Sequence, residues 1–294
     1  MNELSRLSLN QYTTRPWTVA EAVDGCAKAG LEWIGLWRDK VQTQGLGESA
    51  KLVQDAGLRV SSLCRGGNFP ALTQAERRER IDDTRRALDE AATLQTDTLV
   101  LVCGGLHIRD LEAARQMVLD GIAELVPYAA ERGVKLAVEP LHPLYCADRN
   151  VVVTLAQANT LAETLNAAFP DLSTPVGVVV DVFHTWWDPQ VFGEIERSAP
   201  HLFGFHVCDW ITPLPDVLNA RGMMGDGWIE LDRLKRAVDA AGYRGPVECE
   251  IFNEALWTSP GDDILELMKA RYLSHVCAAT PSITVGDLNV DLPE

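Results

Sequence analysis

The chain predicts a single (β/α)8 TIM barrel, an α/β fold, on three observations. Short apolar runs alternate with helix-patterned segments along nearly the whole sequence. The alternation repeats eight times, which predicts a parallel sheet that closes on itself. Four of the later runs end in, or closely enclose, a side chain able to bind a hard cation: Glu139, Asp181, His206 and Glu250. A length of 294 residues suits one such barrel, which typically needs about 250.

The elements follow in order. Arg6–Asn10 is a short first strand, and Val19–Ala29 a helix that presents Ala20, Val23 and Ala27 on one face and stops at Gly30. Glu32–Trp37 is the second strand, followed by a helix over Gly47–Ala56 closed by Gly57. Leu58–Cys64 is the third strand, ending at Arg65-Gly66-Gly67. Gln74–Leu94 is charged on one face, with Ile81, Leu88 and Ala92 on the other, and reads as a long surface helix. Thr98–Cys103 is a wholly apolar fourth strand, as expected where both faces are covered. A helix over Leu111–Arg132 ends at Gly133. The fifth strand leads to Glu139, with a loop over Pro140–Asn150 and a helix near Leu155–Ala168. The sixth leads to Asp181, the seventh holds His206, and a long connection runs from Cys208 to about Trp228. After the helix Leu231–Ala241 comes the eighth strand with Glu248 and Glu250, then a helix over about Asp262–Cys277. The barrel is therefore expected over 1–278 as one domain, with an irregular tail over 279–294.

Composition narrows the function. Hydrophobic residues make up 47% of the chain, enough for one core. A net charge of −16 repels phosphate backbones and argues against a nucleic-acid partner. Seven cysteines, an odd number without Cys-x-x-Cys spacing, read as reduced buried thiols of a cytoplasmic protein. No basic-then-apolar leader opens the sequence, and no apolar run reaches the roughly 20 residues that span a bilayer, so no membrane partner is expected.

The four candidate ligands are 42, 25 and 44 residues apart, too far for one helix or hairpin. On successive parallel strands they converge on one mouth of the barrel. Three carboxylates and an imidazole make an oxygen-rich site for a divalent ion. Glu248 and Glu250 share a strand face, and Glu250 is the expected ligand because it lies nearer the C-terminal end. A lone carboxylate at a strand end is usually a cap or a surface charge, but four at matched ends make coincidence a poor explanation. Trp37, Trp186, Trp187 and Trp210 follow strand ends and could either floor a sugar pocket or only pack. Arg38 and Arg65 could hold a substrate oxygen or pair with site carboxylates. His142, flanked by prolines, has structural and catalytic readings in balance, and Asp209 could orient His206 or bind a ligand.

The runs Val-Glu139-Pro-Leu-His142-Pro, Val-Asp181-Val-Phe-His184, Phe-His206-Val-Cys-Asp209 and Glu250-Ile-Phe resemble the sugar isomerase/epimerase superfamily, the xylose isomerase-like barrels, over roughly residues 5 to 275. The resemblance implies Glu139, Asp181, His206 and Glu250 as ligands of a divalent metal, Mn2+ first, with Mg2+ or Co2+ as alternatives. It implies His184 as a substrate contact and Arg221 as a substrate-binding arginine. It further implies proton abstraction beside a carbonyl of an unphosphorylated sugar or keto-sugar, with isomerisation or epimerisation through a metal-bound enediolate and Glu139 and Glu250 exchanging the proton. Acidic Asp262 and Asp263 after strand eight speak against a phosphate. Ketose epimerases carry a second acidic residue where this chain has Tyr145, which leaves His142 or His184 as a base and opens a second fate. That fate is cleavage of a 3-oxo-glycoside, C-glycosides included, by a lyase through β-elimination. A non-catalytic sugar-binding barrel is the third reading. A homo-oligomer, or a hetero-oligomer with a small partner subunit, is the expected assembly. Endonuclease-IV-like repair would need more histidines and a basic face.

Overall fold

The computed structural model describes residues 3–278; the expected tail over 279–294 lies outside the described residues. Eight parallel strands close into a barrel in sequence order: β1 (Leu7–Asn10), β2 (Trp33–Trp37), β3 (Arg59–Gly67), β4 (Thr98–Val102), β5 (Lys135–Val138), β6 (Val176–Asp181), β7 (Leu202–Val207) and β8 (Val247–Cys249). Closure comes from β8 pairing with β1, Leu7 opposite Val247 and Leu9 opposite Cys249.

Side-chain alternation sorts the strands into two surfaces. Leu7, Leu9, Ile34, Leu36, Leu136 and Val138 point outward into the large core beneath the helices. Cys64, Val100, Ala137 and Val179 form a separate small cluster inside the barrel, with Trp37 and Phe203 packed against it. Polar groups also point inward where they find partners, as in the Ser8 Oγ to Ser61 Oγ contact of 2.8 Å.

The outer helices are α1 (Val19–Ala29), α2 (Arg38–Gln44), α3 (Leu46–Asp55), α4 (Gln74–Thr93), α5 (Leu111–Glu131), α6 (Leu155–Ala168), α7 (Val182–Thr185), α8 (Val191–Arg197), α9 (Leu231–Ala240) and α10 (Gly261–Arg271). Capping boxes begin α1, from Thr18 to Glu21, and α4, from Thr73 to Glu76. Helix α2 was not expected: it buries only Val41, so it carries no apolar period for sequence reading to detect. Strict one-to-one alternation also fails after β6, where two short helices follow.

Two departures shape the mouth. Strand β3 continues to Gly67 instead of ending at Cys64, with a register shift against β4 between Cys64 and Gly66. The two glycines, expected beyond the strand, are demanded by close packing. A Cβ on Gly67, whose φ is +109°, would lie 2.3 Å from the Val102 carbonyl oxygen. The long connection after β7 folds back on itself, Asp209–Trp210 pairing antiparallel with Arg221–Gly222. That two-residue ladder returns Arg221 to the barrel mouth. Among the described residues no helix is long and apolar enough to cross a membrane.

Gly67→Ala combines a steric clash with an unfavourable backbone conformation. It is expected to cost about 2–4 kcal/mol in urea unfolding, above the ~1 kcal/mol of an ordinary surface change. A loss within error of zero would mean that the strand end relaxes without penalty.

Candidate metal centre

The barrel ends bring four distant side chains together. Glu139 directly follows β5; its N–H donates to the Leu101 carbonyl at 3.1 Å, and its own carbonyl accepts from Asn150 Nδ2 at 2.7 Å. Asp181 ends β6 and accepts the Phe183 N–H at 2.8 Å. His206 lies within β7, and Glu250 follows β8, its N–H donating to the Val207 carbonyl at 3.1 Å. One potential ligand atom from each of Glu139, Asp181, His206 and Glu250 lies within 4.8 Å of all the others, and all four residues are buried.

His206 Nδ1 stands 3.2 Å from Glu139 Oε1 and 3.4 Å from Glu250 Oε2. Despite this proximity, His206 Nδ1 and Glu139 Oε1 make no hydrogen bond of acceptable geometry. Buried polar atoms without partners are costly and uncommon. Here two of them face one another in a cluster of hard oxygen donors, so the residues fit a divalent cation.

A second layer supports the first. Glu248 lies behind His206, its Oε2 3.7 Å from Nε2, while Asn10 Nδ2 donates to Glu248 at 3.1 Å and to Glu250 at 3.3 Å. The two carboxylates thus take different places, Glu250 in the cluster and Glu248 on the far side of the imidazole. A carboxylate behind a ligating histidine steers the ring and its protonation. Gly35 leaves the room: a Cβ there would come within 2.3 Å of Glu248 Oε2.

Arg221 is the buried counter-charge. Its Nη1 donates to Asp181 Oδ2 at 2.8 Å and Glu250 Oε2 at 3.0 Å, and its plane is flanked by the Phe183 and Phe252 rings. His184 Nδ1 accepts the His142 backbone N–H at 3.1 Å, and its Nε2 lies 3.1 Å from Arg221 Nη2. The electrostatics are asymmetric. Burial, helped by the charge of Glu250, pushes Glu139 up to about 7 against the pull of His206. Burial acts upward on Glu250 too, but Arg221 and His206 outweigh it and hold this carboxyl at about 2. Burial would discharge His206, yet Glu248, Glu139 and Glu250 hold it well above the usual imidazole range. For His184 burial prevails, with Arg221 acting the same way, and its pKa falls to about 3 despite Asp181.

The remaining candidates divide. Trp37 and Arg65 line the cavity above the cluster, as do His184, Arg221 and Tyr145. Trp37 is pinned through its Nε1–H to Asn10 Oδ1 at 2.8 Å. Trp187 is not among the cavity-lining residues; its Nε1 donates to the His184 carbonyl at 2.8 Å and its ring meets His142 edge-on. The His142 ring stands among Trp187 and Trp210 rather than in the cluster. Arg38 serves the scaffold, bonding Asp83 and Glu90 of α4. Asp209 makes no hydrogen bond to His206: it accepts the backbone N–H groups of Trp210, Gly225 and Ile229 and so organises its own loop. Sequence reading missed Asn10, Gly35 and Arg149. Asn10 ends the first strand and could have been noticed by the strand-end criterion; Gly35 gives no local signal.

A closed parallel barrel whose strand ends gather a buried acid–imidazole cluster belongs to the (β/α)8 class that builds its sites at the C-terminal mouth. Residues 23–272 match the xylose isomerase-like TIM barrel family, and the chain is a member of it. The crystal structure of protein SMc04130 from Sinorhizobium meliloti 1021 is 45% identical, with a TM-score of 0.89, over 92% of this chain and 98% of that one. IolI, solved with a bound zinc atom, shares the fold at 21% identity and a TM-score of 0.80, over 92% of this chain and 98% of that one. Among curated proteins, a 3-dehydroshikimate dehydratase of Pseudomonas aeruginosa is 25% identical over 92% of this chain and 43% of its own length. A second, from Pseudomonas putida, is also 25% identical, over 83% of this chain and 37% of its own length. The chain therefore spans less than half of these curated relatives.

Metal entry must displace protons, because His206 carries one and Glu139 is part-protonated near pH 7. Calorimetric titration of the metal-free protein with Mn2+, in buffers of different ionisation enthalpy, should report release of about one proton or more at neutral pH. Affinity should weaken as pH falls below about 7, where Glu139 fills with protons. Heats independent of buffer would contradict this electrostatic picture.

Proposed function

We propose that the chain is a divalent-metal-dependent enzyme that removes a proton from carbon beside a carbonyl of a small polyhydroxylated substrate. The observation that carries the reading is the buried convergence of Glu139, Asp181, His206 and Glu250 with two unpaired polar atoms facing each other. A divalent ion held by these four side chains would supply positive charge to stabilise an enolate oxygen.

The protein's own groups divide the remaining work. Glu139 is the proton acceptor, because it is the cluster glutamate that Arg221 does not hold. Glu250, hydrogen-bonded by Arg221 and Asn10, stays ionised and serves as an anionic ligand. His184 is neutral, its ring placed with Nδ1 against the His142 N–H and Nε2 3.1 Å from Arg221 Nη2. A substrate oxygen lodged beside both groups would accept from the guanidinium. Trp37 forms an apolar wall, and its link to Asn10 ties that wall to the carboxylates.

This division supports a one-base reaction. Isomerisation needs a single group to carry a proton between neighbouring carbons, and elimination needs a base and a departing group. Epimerisation would need Glu139 and Glu250 to act from opposite faces, one ionised and the other protonated. Loss of a β-substituent is the second reading, favoured by two relatives that bear the name 3-dehydroshikimate dehydratase. Water or a glycosidic aglycone would leave from the same enolate.

With Mn2+ and a panel of keto-sugars and 3-oxo-glycosides in D2O, a substrate should take up deuterium at one carbon or lose a β-substituent. Glu139→Gln is expected to lower that rate by about 10²–10⁴-fold with far-UV circular dichroism unchanged. Asp181→Ala combined with His206→Ala should remove most bound metal, scored by elemental analysis. Near-normal turnover in Glu139→Gln would remove this residue from the chemistry.

A further inference from the structure

The cavity above the cluster is lined by three arginines, and only one has an internal partner. Arg221 is committed to Asp181 and Glu250. Arg65, at the end of β3, and Arg149, in the loop after β5, line the same cavity and are partly buried. Neither guanidinium makes a hydrogen bond or ion pair with any described residue. Arg149 only overlies the Tyr145 ring, at 5.6 Å. This is unusual in a chain with 42 acidic against 26 basic residues, where most arginines among the described residues find a carboxylate.

Both arginines are attached to firmly held backbone. Arg65 precedes Gly66 and Gly67, and the Gly67 N–H donates to Thr84 Oγ1 at 3.1 Å. The Arg149 N–H and the Asn150 N–H both donate to the Tyr145 carbonyl, at 2.9 and 3.0 Å. Asn150 then reaches the Glu139 carbonyl at 2.7 Å, so the loop carrying Arg149 is fixed to the cluster itself. Gly105 lets that loop approach, since a Cβ there would lie 2.4 Å from the Asp148 carbonyl carbon. The side chains are unsatisfied while their attachment points are anchored, which is how a preformed anion site looks before its ligand arrives.

Charge leads to the same place. The lower cavity holds the carboxylates of Glu139, Asp181, Glu248 and Glu250 against Arg221, a deficit that a divalent cation held there would largely offset. Arg65 and Arg149 are paired with none of these acids and stay open to a ligand.

We propose that the substrate carries a carboxylate held by Arg65 and Arg149 while its hydroxy-carbonyl end faces Glu139 and its neighbours. The placement of the reacting end rests on the function proposed above; the anion site does not. A carboxylate suits the planar forked geometry of two guanidiniums. Phosphate is the other oxyanion with this chemistry, and the test separates the two.

The test uses calorimetric binding to the full-length chain after chelator treatment, so that the probes cannot ligate an added ion. The probes are glucuronate, its neutral amide glucuronamide, and glucose 6-phosphate. Glucuronate should bind about tenfold or more tightly than glucuronamide, the scale of a charge-assisted hydrogen bond. Arg65→Gln combined with Arg149→Gln should abolish that preference while leaving glucuronamide affinity within about twofold. The fold should survive, since neither guanidinium supports it, and thermal melting checks this. Equal affinities of the two probes in the parent protein, or a preference that persists in the double variant, would overturn the proposal. Tighter binding of glucose 6-phosphate than of glucuronate would overturn the choice of carboxylate. Deuterium exchange is scored separately: its failure beside an intact anion preference would remove the proposed reaction and leave the anion site standing.

Discussion

Mutual repulsion among buried carboxylates is the constraint on which the rest of this structure depends. Glu139, Asp181, Glu248 and Glu250 are held out of water at one end of a barrel whose middle is apolar. Each buried charge without compensation costs several kcal/mol, and like charges at these separations add to that. The fold tolerates the arrangement because every acid meets a specific answer. Arg221 bridges Asp181 and Glu250, Asn10 bridges Glu248 and Glu250, and His206 stands between Glu139 and Glu248. What remains unanswered is the gap between His206 Nδ1 and Glu139 Oε1.

The barrel supplies that arrangement cheaply in conformational terms. The ligands lie at or within one residue of a strand end, where backbone hydrogen bonds to the neighbouring strand fix them before any side chain is placed. Ligand geometry thus inherits the rigidity of the sheet, and the loops are left to shape the cavity above it. The loop from Tyr145 to Asn150 shows the coupling, since Asn150 holds both its own turn and the Glu139 carbonyl. Asp209 does equivalent work after β7, gathering three backbone N–H groups so that Arg221 can return to the mouth.

The barrel was legible in the sequence because its strands are buried on both faces and therefore spelled as unbroken apolar runs, Thr98–Val102 and Val176–Val180 above all. The cluster was legible because each ligand is polar at the end of such a run. What escaped had no periodic signature. Helix α2 buries a single apolar residue, and the ladder that returns Arg221 is two residues long on each side. Gly66 and Gly67, expected to lie past the strand, extend β3, because the need for glycine comes from close packing on β4 and α4, joined at Gly67 by a positive φ. Asp209 and Arg38 show the converse error. Position near a strand end made them site candidates, while their actual partners lie in their own loop and on α4.

The differing states of the two glutamates bear on how such a cavity can direct chemistry. Glu139 and Glu250 are the same residue type, equally buried, and both next to His206. They part because Arg221 touches one and not the other. Burial alone would raise both carboxyls; Arg221 together with His206 reverses the sign for Glu250, while Glu139 has the pull of His206 only and stays raised. Arg221 therefore does more than balance charge. By choosing which glutamate remains a permanent anion, it determines which one is free to take up a proton, and it does so from a loop that the barrel scaffold itself does not dictate.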